Sequence, residues 1–455
     1  MRFAELERAN VAIWGCGREG RSVLAALRRR FPDKPLTLYC KSGEADAVRA
    51  RCDPHLHVAD ASPDADALAS HDIVIKSPGI SAYKPEILAA RERGTRFASG
   101  TALWFGENPD ARVVAVTGTK GKSTTTALIA HLARALGIRT ALAGNIGLPL
   151  LDLDGQQADL WAIELSSFQT GEAGPVELGV VVSLAEEHLD WHGTRERYIA
   201  DKLKLADVSC TLLVDAQSPL LLRHTTAHPR RATFGDPDGW RVADRAILHG
   251  SERIADLAAL PLHGAHNARN ACAALAAIEL LGFDARAAAG ALHTFRPLPH
   301  RLTSLGVRDG IEWIDDSIST TPDAALAALE SLRGRPVTLI LGGYDRGLDW
   351  TGFARELAQH PPRAAIVQGA GGPRIAHALR DARVGCAIEE TADLATAIAR
   401  AHGHAQKQAN GVVLLSPGAP SFDQFRDYAE RGRAFARLAG FDGDAIGEIT
   451  GLGIA

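Results

Sequence analysis

Ten residues from Thr117 to Thr126 read TGTKGKSTTT. They gather two glycines (Gly118, Gly121), two lysines (Lys120, Lys122) and hydroxyls at Thr119, Ser123 and Thr124. Such glycines let backbone N–H groups converge on phosphate oxygens at a helix N-terminus, a lysine brings charge to the outer phosphates, and a hydroxyl can ligate Mg²⁺. A full Walker pattern wants glycine where Val116 stands, so the loop is a shortened one. The apolar run 113–116 before it reads as a buried strand. After Ser123, the residues Leu128, Ile129, Leu132 and Leu136 fall at helical spacing, closed by Gly137. Strand, loop and helix thus come in the order that phosphate binding needs.

Two further residues suit a metal. Glu164 closes the run LWAIELSSFQ, and His188 follows the apolar run ELGVVVSL. Both are expected at strand ends, where ligands collect in open α/β sheets. A second glycine signal, Gly15, Gly17 and Gly20, follows the strand VAIW. A nicotinamide dinucleotide would need an acidic residue about 20 positions on, where Cys40 and Lys41 stand. That weighs against a dehydrogenase, while a uridine diphosphate could still rest its phosphates on the same turn. The turn Ser77–Pro78–Gly79–Ile80, ending the strand DIVIK, faces the same ligand in this reading.

The elements that must position these residues are short Val/Ile-rich runs alternating with Ala/Leu/Arg-rich helical stretches, such as VAIWG, DIVIKSPG, VTLILGG and VVLLSPG. This predicts parallel sheets covered by helices. Pattern breaks near Gly106–Pro109 and Arg296–Pro299 divide the 455 residues into three α/β domains. These are an N-terminal Rossmann-like domain (1–106), a central P-loop ATPase domain (107–296) and a C-terminal Rossmann-like domain (297–455). With 50 Lys+Arg against 54 Asp+Glu the chain lacks the basic excess of a nucleic-acid or anionic-membrane binder. No leader-like start or membrane-length apolar run is read, and six scattered cysteines fit reduced thiols, so the expected location is the cytoplasm.

TGTKGKSTTT, GNIG (144–147), ELSSFQ (164–169), EEHLDWHG (186–193), YIADK (198–202), HNARNACAA (266–274), HR (300–301), DDS (315–317), LGGYDRG (341–347) and LSPGAPSFDQF (415–425) together resemble the Mur ligases in order and spacing. The likeness runs through essentially the whole chain and is nearest the MurD type, which joins glutamate to UDP-N-acetylmuramoyl-L-alanine. It implies an ATP-dependent, ADP-forming amide ligase of peptidoglycan precursor synthesis, working as a monomer through an acyl phosphate. By resemblance Lys122 holds the β,γ-phosphates, and Ser123 and Glu164 share one Mg²⁺. His188 and a carbamylated Lys202 hold a second, which makes Lys122, His188 and Lys202 the catalytic set. Asn267, Asn270, Arg301 and Asp316 match the positions that hold the rest of ATP. Gly15, Gly17, Gly20, Ser77, Gly79 and Asn145 are expected along the uridine nucleotide. Thr320, Arg346, Ser421 and Tyr428 are expected around the incoming glutamate.

Departures from the pattern bear on the amino acid. Where the D-glutamate-adding enzymes read DSKATN, this chain has Ile318 in place of the lysine, and Arg346 stands where lysine is common. The segment WGCGREGRS resembles a branch that adds L-glutamate and relies on a separate epimerase, so L-glutamate is favoured. Two rivals remain: another amino-acid ligase of the same superfamily, and a P-loop ATPase switch that forms no bond.

Overall fold

Aliphatic and β-branched runs become central strands because they can bury both faces of a parallel sheet. The structure is a computed structural model that describes residues 1–50, 52–184, 189–261, 264–345, 347–447 and 449–455. Val11–Trp14 and Ile73–Lys76 are buried along their whole length. They are neighbours in a five-stranded parallel sheet ordered Leu56–Ala59, Leu36–Tyr39, Val11–Trp14, Ile73–Lys76, Arg96–Ala98. The chain runs to one side of Val11–Trp14 and returns on the other at Ile73. The ends of these two strands therefore flank the point where strand order reverses, the usual ligand crevice of such sheets.

A second sheet is ordered Arg231–Phe234, Ser209–Asp215, Val176–Val181, Val113–Thr117, Leu160–Glu164, Thr140–Gly144, Gly453–Ile454. It is parallel except for the last pair, in which the C-terminal strand runs antiparallel to Thr140–Gly144. That strand lies in a glycine-rich tail whose composition did not announce it; Arg134 fixes it by donating to the carbonyls of Gly451 and Gly453, each at 2.8 Å. A three-stranded antiparallel meander, Trp240–Ala243, Ala246–His249 and Glu252–Asp256, was also not foreseen. Its first turn places Asp244 and Arg245 at φ 48° and 58°, as a tight hairpin requires.

The two parallel sheets share one core. Ile13, Leu38 and Ile75 belong to the same buried cluster as Ala115, Ala143 and Ile163, and the rings of Trp104 and Trp161 lie 4.6 Å apart. Met1–Leu262, His266–Phe295 and Gly451–Ala455 accordingly form one compact unit.

The second unit comprises His263–Ala265 and Arg296–Thr450. Its sheet is ordered Thr303–Arg308, Ile311–Asp315, Val412–Leu415, Val337–Gly342, Ala364–Gln368, Ala387–Thr391, with only the first pair antiparallel. Val412–Leu415 returns between Ile311–Asp315 and Val337–Gly342. Three C-terminal strand ends, at Asp316, Gly343 and Ser416, are thereby brought together. Among the described residues no helix is long and apolar enough to cross a membrane.

Candidate active site

The phosphate loop leaves the middle strand of the second sheet, Val113–Thr117, and feeds the helix Lys122–Ala135. Gly118 and Gly121 take φ of 149° and 83°. A Cβ on Gly121 would collide with Asn270 Oδ1, and one on Gly118 would sit 2.6 Å from Val182 Cγ2, so only glycine fits either place. The loop is tied down from below. The Thr119 N–H donates to the Ser183 carbonyl at 3.0 Å, and the Lys120 N–H donates to Ser183 Oγ at 2.8 Å. Thr119 Oγ1 lies 2.9 Å from the Tyr198 hydroxyl. Lys122 Nζ donates to the Thr119 carbonyl at 3.0 Å, curling over the loop. Ser123 is half-buried in the first helical turn, and the buried Thr124 Oγ1 has no hydrogen-bond partner among the described residues.

Val116 pairs in register with Glu164, so the strand Leu160–Glu164 delivers its carboxylate beside the loop. Glu164 is 1% exposed. Asn145 Nδ2 donates to Oε1 at 2.8 Å, whereas Oε2 has no hydrogen-bond partner among the described residues. An unsatisfied buried acceptor costs roughly 1–3 kcal/mol, and more when charged. A divalent cation would relieve that cost, and hard oxygens from Glu164 and Ser123 next to a phosphate loop suit Mg²⁺. No group of three His, Cys, Asp or Glu gathers among the described residues. Asn145, expected along the uridine nucleotide, thus has one amide N–H on this carboxylate.

Lys202 is 2% exposed and donates from Nζ to the Gly118 carbonyl at 2.8 Å. It sits on the helix Arg195–Asp207, whose N-terminus is capped by Thr194 Oγ1 accepting from the Arg197 N–H. Asn270 Nδ2 donates to Asn267 Oδ1 at 3.3 Å, and both amides are buried. With Asn270 packed against Gly121, this pair belongs to the surroundings of the loop.

Four groups around Lys202 escaped the sequence reading. Asp201 accepts hydrogen bonds from the Tyr83 hydroxyl on both Oδ1 and Oδ2 at 2.8 Å and from Lys204 Nζ at 2.6 Å. Its Oδ2 also lies 2.7 Å from His192 Nδ1, and His192 Nε2 lies 3.0 Å from Ser167 Oγ. Burial alone would raise the Asp201 pKa, but the hydrogen bonds from Lys204, Tyr83 and His192 outweigh it and hold the group below the ordinary carboxylate value. Ser167 sits inside ELSSFQ and His192 inside EEHLDWHG, yet nothing in their spacing marks them as partners.

In the first sheet, Gly15 has φ 102°, and a Cβ there would sit 2.5 Å from Ser77 Oγ. Gly20 presses against the Gly15 carbonyl so closely that a side chain would collide with it. Gly17 caps the helix Arg18–Arg30, and a side chain on Gly79 would meet open space. Ser77 Oγ is buried with no hydrogen-bond partner among the described residues. An orphaned hydroxyl between two glycine turns at the sheet's switch point is a seat for a polar ligand. Below it, burial pushes Glu19 up to about 7, with the Asp152 charge adding to the effect and Arg18 opposing it. The buried Lys76 lies 4.0 Å from the half-buried Glu172. Burial pulls the lysine's pKa down and the glutamate's up.

In the second unit, Arg301 lies between His300 and Leu302, both in left-handed conformations (φ 60° and 47°). Such strain on non-glycine residues persists only where surrounding structure enforces it. His300 Nδ1 lies 2.6 Å from Asp315 Oδ2, and only glycine at 432 leaves room for that pair. Arg301 Nε is buried with no hydrogen-bond partner among the described residues. Asp316 accepts from Ser319 Oγ at 2.5 Å and Ser416 Oγ at 2.7 Å. Burial nonetheless pushes its pKa up to about 6, against those hydrogen bonds and the Arg301 charge. Ser421 is buried and Thr320 half-buried. The Tyr428 carbonyl accepts from Ser317 Oγ at 2.7 Å.

Arg431 was not singled out by its sequence context, but it is wholly buried here. Nε donates to Ser317 Oγ at 3.0 Å and Nη2 to the Ser317 carbonyl at 2.8 Å. Nη1 has no hydrogen-bond partner among the described residues and lies 2.9 Å from where a Cβ on Gly343 would be. His188 and Arg346, both singled out from sequence, lie outside the described residues.

A shortened phosphate loop with an orphaned carboxylate beside it, on sheets carrying further strand-end seats, defines a P-loop α/β enzyme that uses a nucleoside triphosphate. Family models give the class its name: "Mur ligase middle domain" matches residues 116–278 and "Mur ligase, glutamate ligase domain" matches residues 300–418. A UDP-N-acetylmuramoyl-L-alanine--L-glutamate ligase of Xanthomonas campestris pv. campestris (strain 8004) is 50% identical over 470 residues, covering 100% of both chains. A protein of the same name from Micromonospora sp. is 37% identical, over 96% of this chain and 97% of its own. The solved UDP-N-acetylmuramate-alanine ligase of Thermotoga maritima shares the fold, with a TM-score of 0.62 at 20% identity over 94% of this chain and 99% of that one. The chain belongs to the Mur ligase family and is an ATP-dependent, amide-bond-forming ligase of peptidoglycan precursor synthesis.

Proposed function

We propose that this enzyme joins L-glutamate to the L-alanyl carboxylate of UDP-N-acetylmuramoyl-L-alanine, working as a monomer in the cytoplasm. The observation that carries the substrate assignment is the 50% identity, end to end, to relatives named for that reaction with L-glutamate. An alanyl carboxylate oxygen attacks the γ-phosphorus of ATP, and ADP leaves. The glutamate amine then attacks the acyl carbon, the bond to the phosphate oxygen breaks, and the nitrogen gives up its proton as the amide forms. Every step concentrates negative charge, and preorganised cations are the means of stabilising it.

In this reading Lys122 leaves the Thr119 carbonyl for the β,γ-phosphates, and Ser123 and Glu164 hold Mg²⁺, which supplies further charge neutralisation. Gly118, Thr119, Lys120, Gly121 and Thr124 line the phosphates, with Asn267, Asn270, Arg301 and Asp316 serving the rest of the nucleotide. His188 and Lys202, the latter as a carbamate, complete a second metal site. Gly15, Gly17, Gly20, Ser77, Gly79 and Asn145 seat the uridine diphosphate, and Asn145 also orients Glu164. Thr320, Arg346, Ser421 and the Tyr428 backbone surround the glutamate, joined by Arg431, whose buried and under-used guanidinium suits a carboxylate. The roles divide as 1–106 for the uridine nucleotide, 107–296 for ATP, and 297–455 for the amino acid and part of ATP. The product would pass to an epimerase acting on the new glutamyl centre.

Phosphate release from ATP tests the reaction class. It should require both the UDP-linked substrate and glutamate; steady release with neither, and no amide product, would leave only an ATPase switch.

A further inference from the structure

The turn that begins at Ser77 and the helix that carries Lys202 are far apart in sequence, yet side chains join them directly. Ser81 Oγ donates to the Trp191 carbonyl at 2.7 Å, and Trp191 Nε1 donates to the Pro78 carbonyl at 3.1 Å. The Tyr83 ring stands edge-on to Trp191 with centroids 5.7 Å apart, and its hydroxyl ends on Asp201. Asp201 in turn holds His192, the residue after Trp191, and is itself the residue before Lys202. The connection closes on itself: turn to Trp191, Trp191 to His192, His192 to Asp201, and Asp201 back to Tyr83.

A carboxylate that is only 4% exposed must be fully supplied with donors or it destabilises the fold. Here the donors come from the turn, from the segment after 188 and from Asp201's own helix. Each supplier is therefore held in place by the same anion. Rigid coupling of this kind is what a ligase needs if the arriving substrate is to meet the phosphate loop in a fixed geometry, because small misplacements weaken alignment of reacting atoms. Lys202 ends on the Gly118 carbonyl, so the loop is the far terminus of the same chain of contacts.

We propose that Asp201 and Tyr83 are positioning residues that lock the Ser77 turn, the candidate seat of the UDP-linked substrate, to the Lys202 helix, so that filling the turn sets the geometry at the phosphate loop. This rests on the functional reading above. Neither residue touches the reacting atoms; each acts through what it holds.

The test is a double-mutant cycle on the full-length protein, using Tyr83→Phe, Asp201→Asn and their combination. Steady-state kinetics are measured for all three substrates, together with calorimetric affinities for UDP and ADP and the melting temperature. Tyr83→Phe should raise KM for the UDP-linked substrate, and Asp201→Asn should lower kcat, each by about tenfold, with the double variant no worse than the poorer single. ADP affinity should stay constant, and Asp201→Asn should retain more activity than Asp201→Ala. Two results overturn the proposal: single effects that multiply in the double variant, or losses equal for all three substrates that track a fall in melting temperature. A parent that makes no amide product, yet loses UDP affinity non-additively in the same cycle, overturns the functional reading and leaves the lock standing.

Discussion

Asn145 Nδ2 holds one oxygen of Glu164 at 2.8 Å while the other, Oε2, is buried with no hydrogen-bond partner among the described residues. The amide fixes the carboxylate's orientation, and the spare oxygen marks the place a cation would fill. Glu164→Gln should lower ligation about 100-fold or more, the scale on which preorganised electrostatic groups act. Isothermal calorimetry supplies a second readout: Mg²⁺ should strengthen ADP binding to the parent and leave the variant unmoved. Equal Mg²⁺ dependence in both would remove Glu164 from the metal site.

Gly121→Ala probes the loop. The residue needs φ 83°, and a methyl group would meet Asn270 Oδ1. Strain of this kind costs about 1–3 kcal/mol. A lowered melting temperature and a weakened affinity for ADP are expected together. Asn270→Ala in the same chain should recover part of the stability, since it removes the atom in the way; no recovery would place the strain in the backbone alone.

Lys202→Ala should nearly abolish ligation. If a carbamate on this lysine is the working form, short carboxylates or bicarbonate supplied in solution should partly restore the variant, as an anion refills the vacated place. An unchanged rate in the variant would show that the buried ammonium on the Gly118 carbonyl is only a structural tie.

Glu19 gives a pH signature. Its folded value of about 7 lies above its ordinary 4.5, so the folded chain holds the proton more tightly than the unfolded one. The associated stability is complete below the unfolded value and is lost as pH climbs through the folded one, an effect on the order of 3 kcal/mol. Thermal unfolding of Glu19→Gln should match the parent near pH 4.5 and exceed it at pH 8. A constant gap across that range would contradict the assignment.

The phosphate loop was legible because its signal is local. A buried strand, two glycines that admit no side chain and a helix with Leu128, Ile129 and Leu132 wholly buried all lie within one short segment. The strand-end position of Glu164 was legible for the same reason, since an apolar run ends on a charge. What stayed hidden depends on distance in sequence. Asp201, His192 and Ser167 meet through the folding of residues 167–201, and Tyr83 reaches Asp201 from beyond the strand Ile73–Lys76 of the other sheet, while Arg431 shows its unused Nη1 only when Ser317 and Gly343 are set around it. The meander at 240–256 and the terminal strand at Gly453 have too few alternating positions to stand out from their surroundings. The motif that holds Asn145 gave no sign that its amide also reaches the carboxylate one strand away.

Which enantiomer of glutamate the enzyme joins is read directly from the product. The enzyme is incubated with ATP, Mg²⁺ and UDP-N-acetylmuramoyl-L-alanine, with L-glutamate or D-glutamate in separate reactions, and the UDP-dipeptide is identified by mass and by the chirality of its glutamyl residue. Product is expected from L-glutamate, with the L configuration retained and about one phosphate released per amide formed. Product from D-glutamate alone, or phosphate release with no dipeptide, would contradict that expectation.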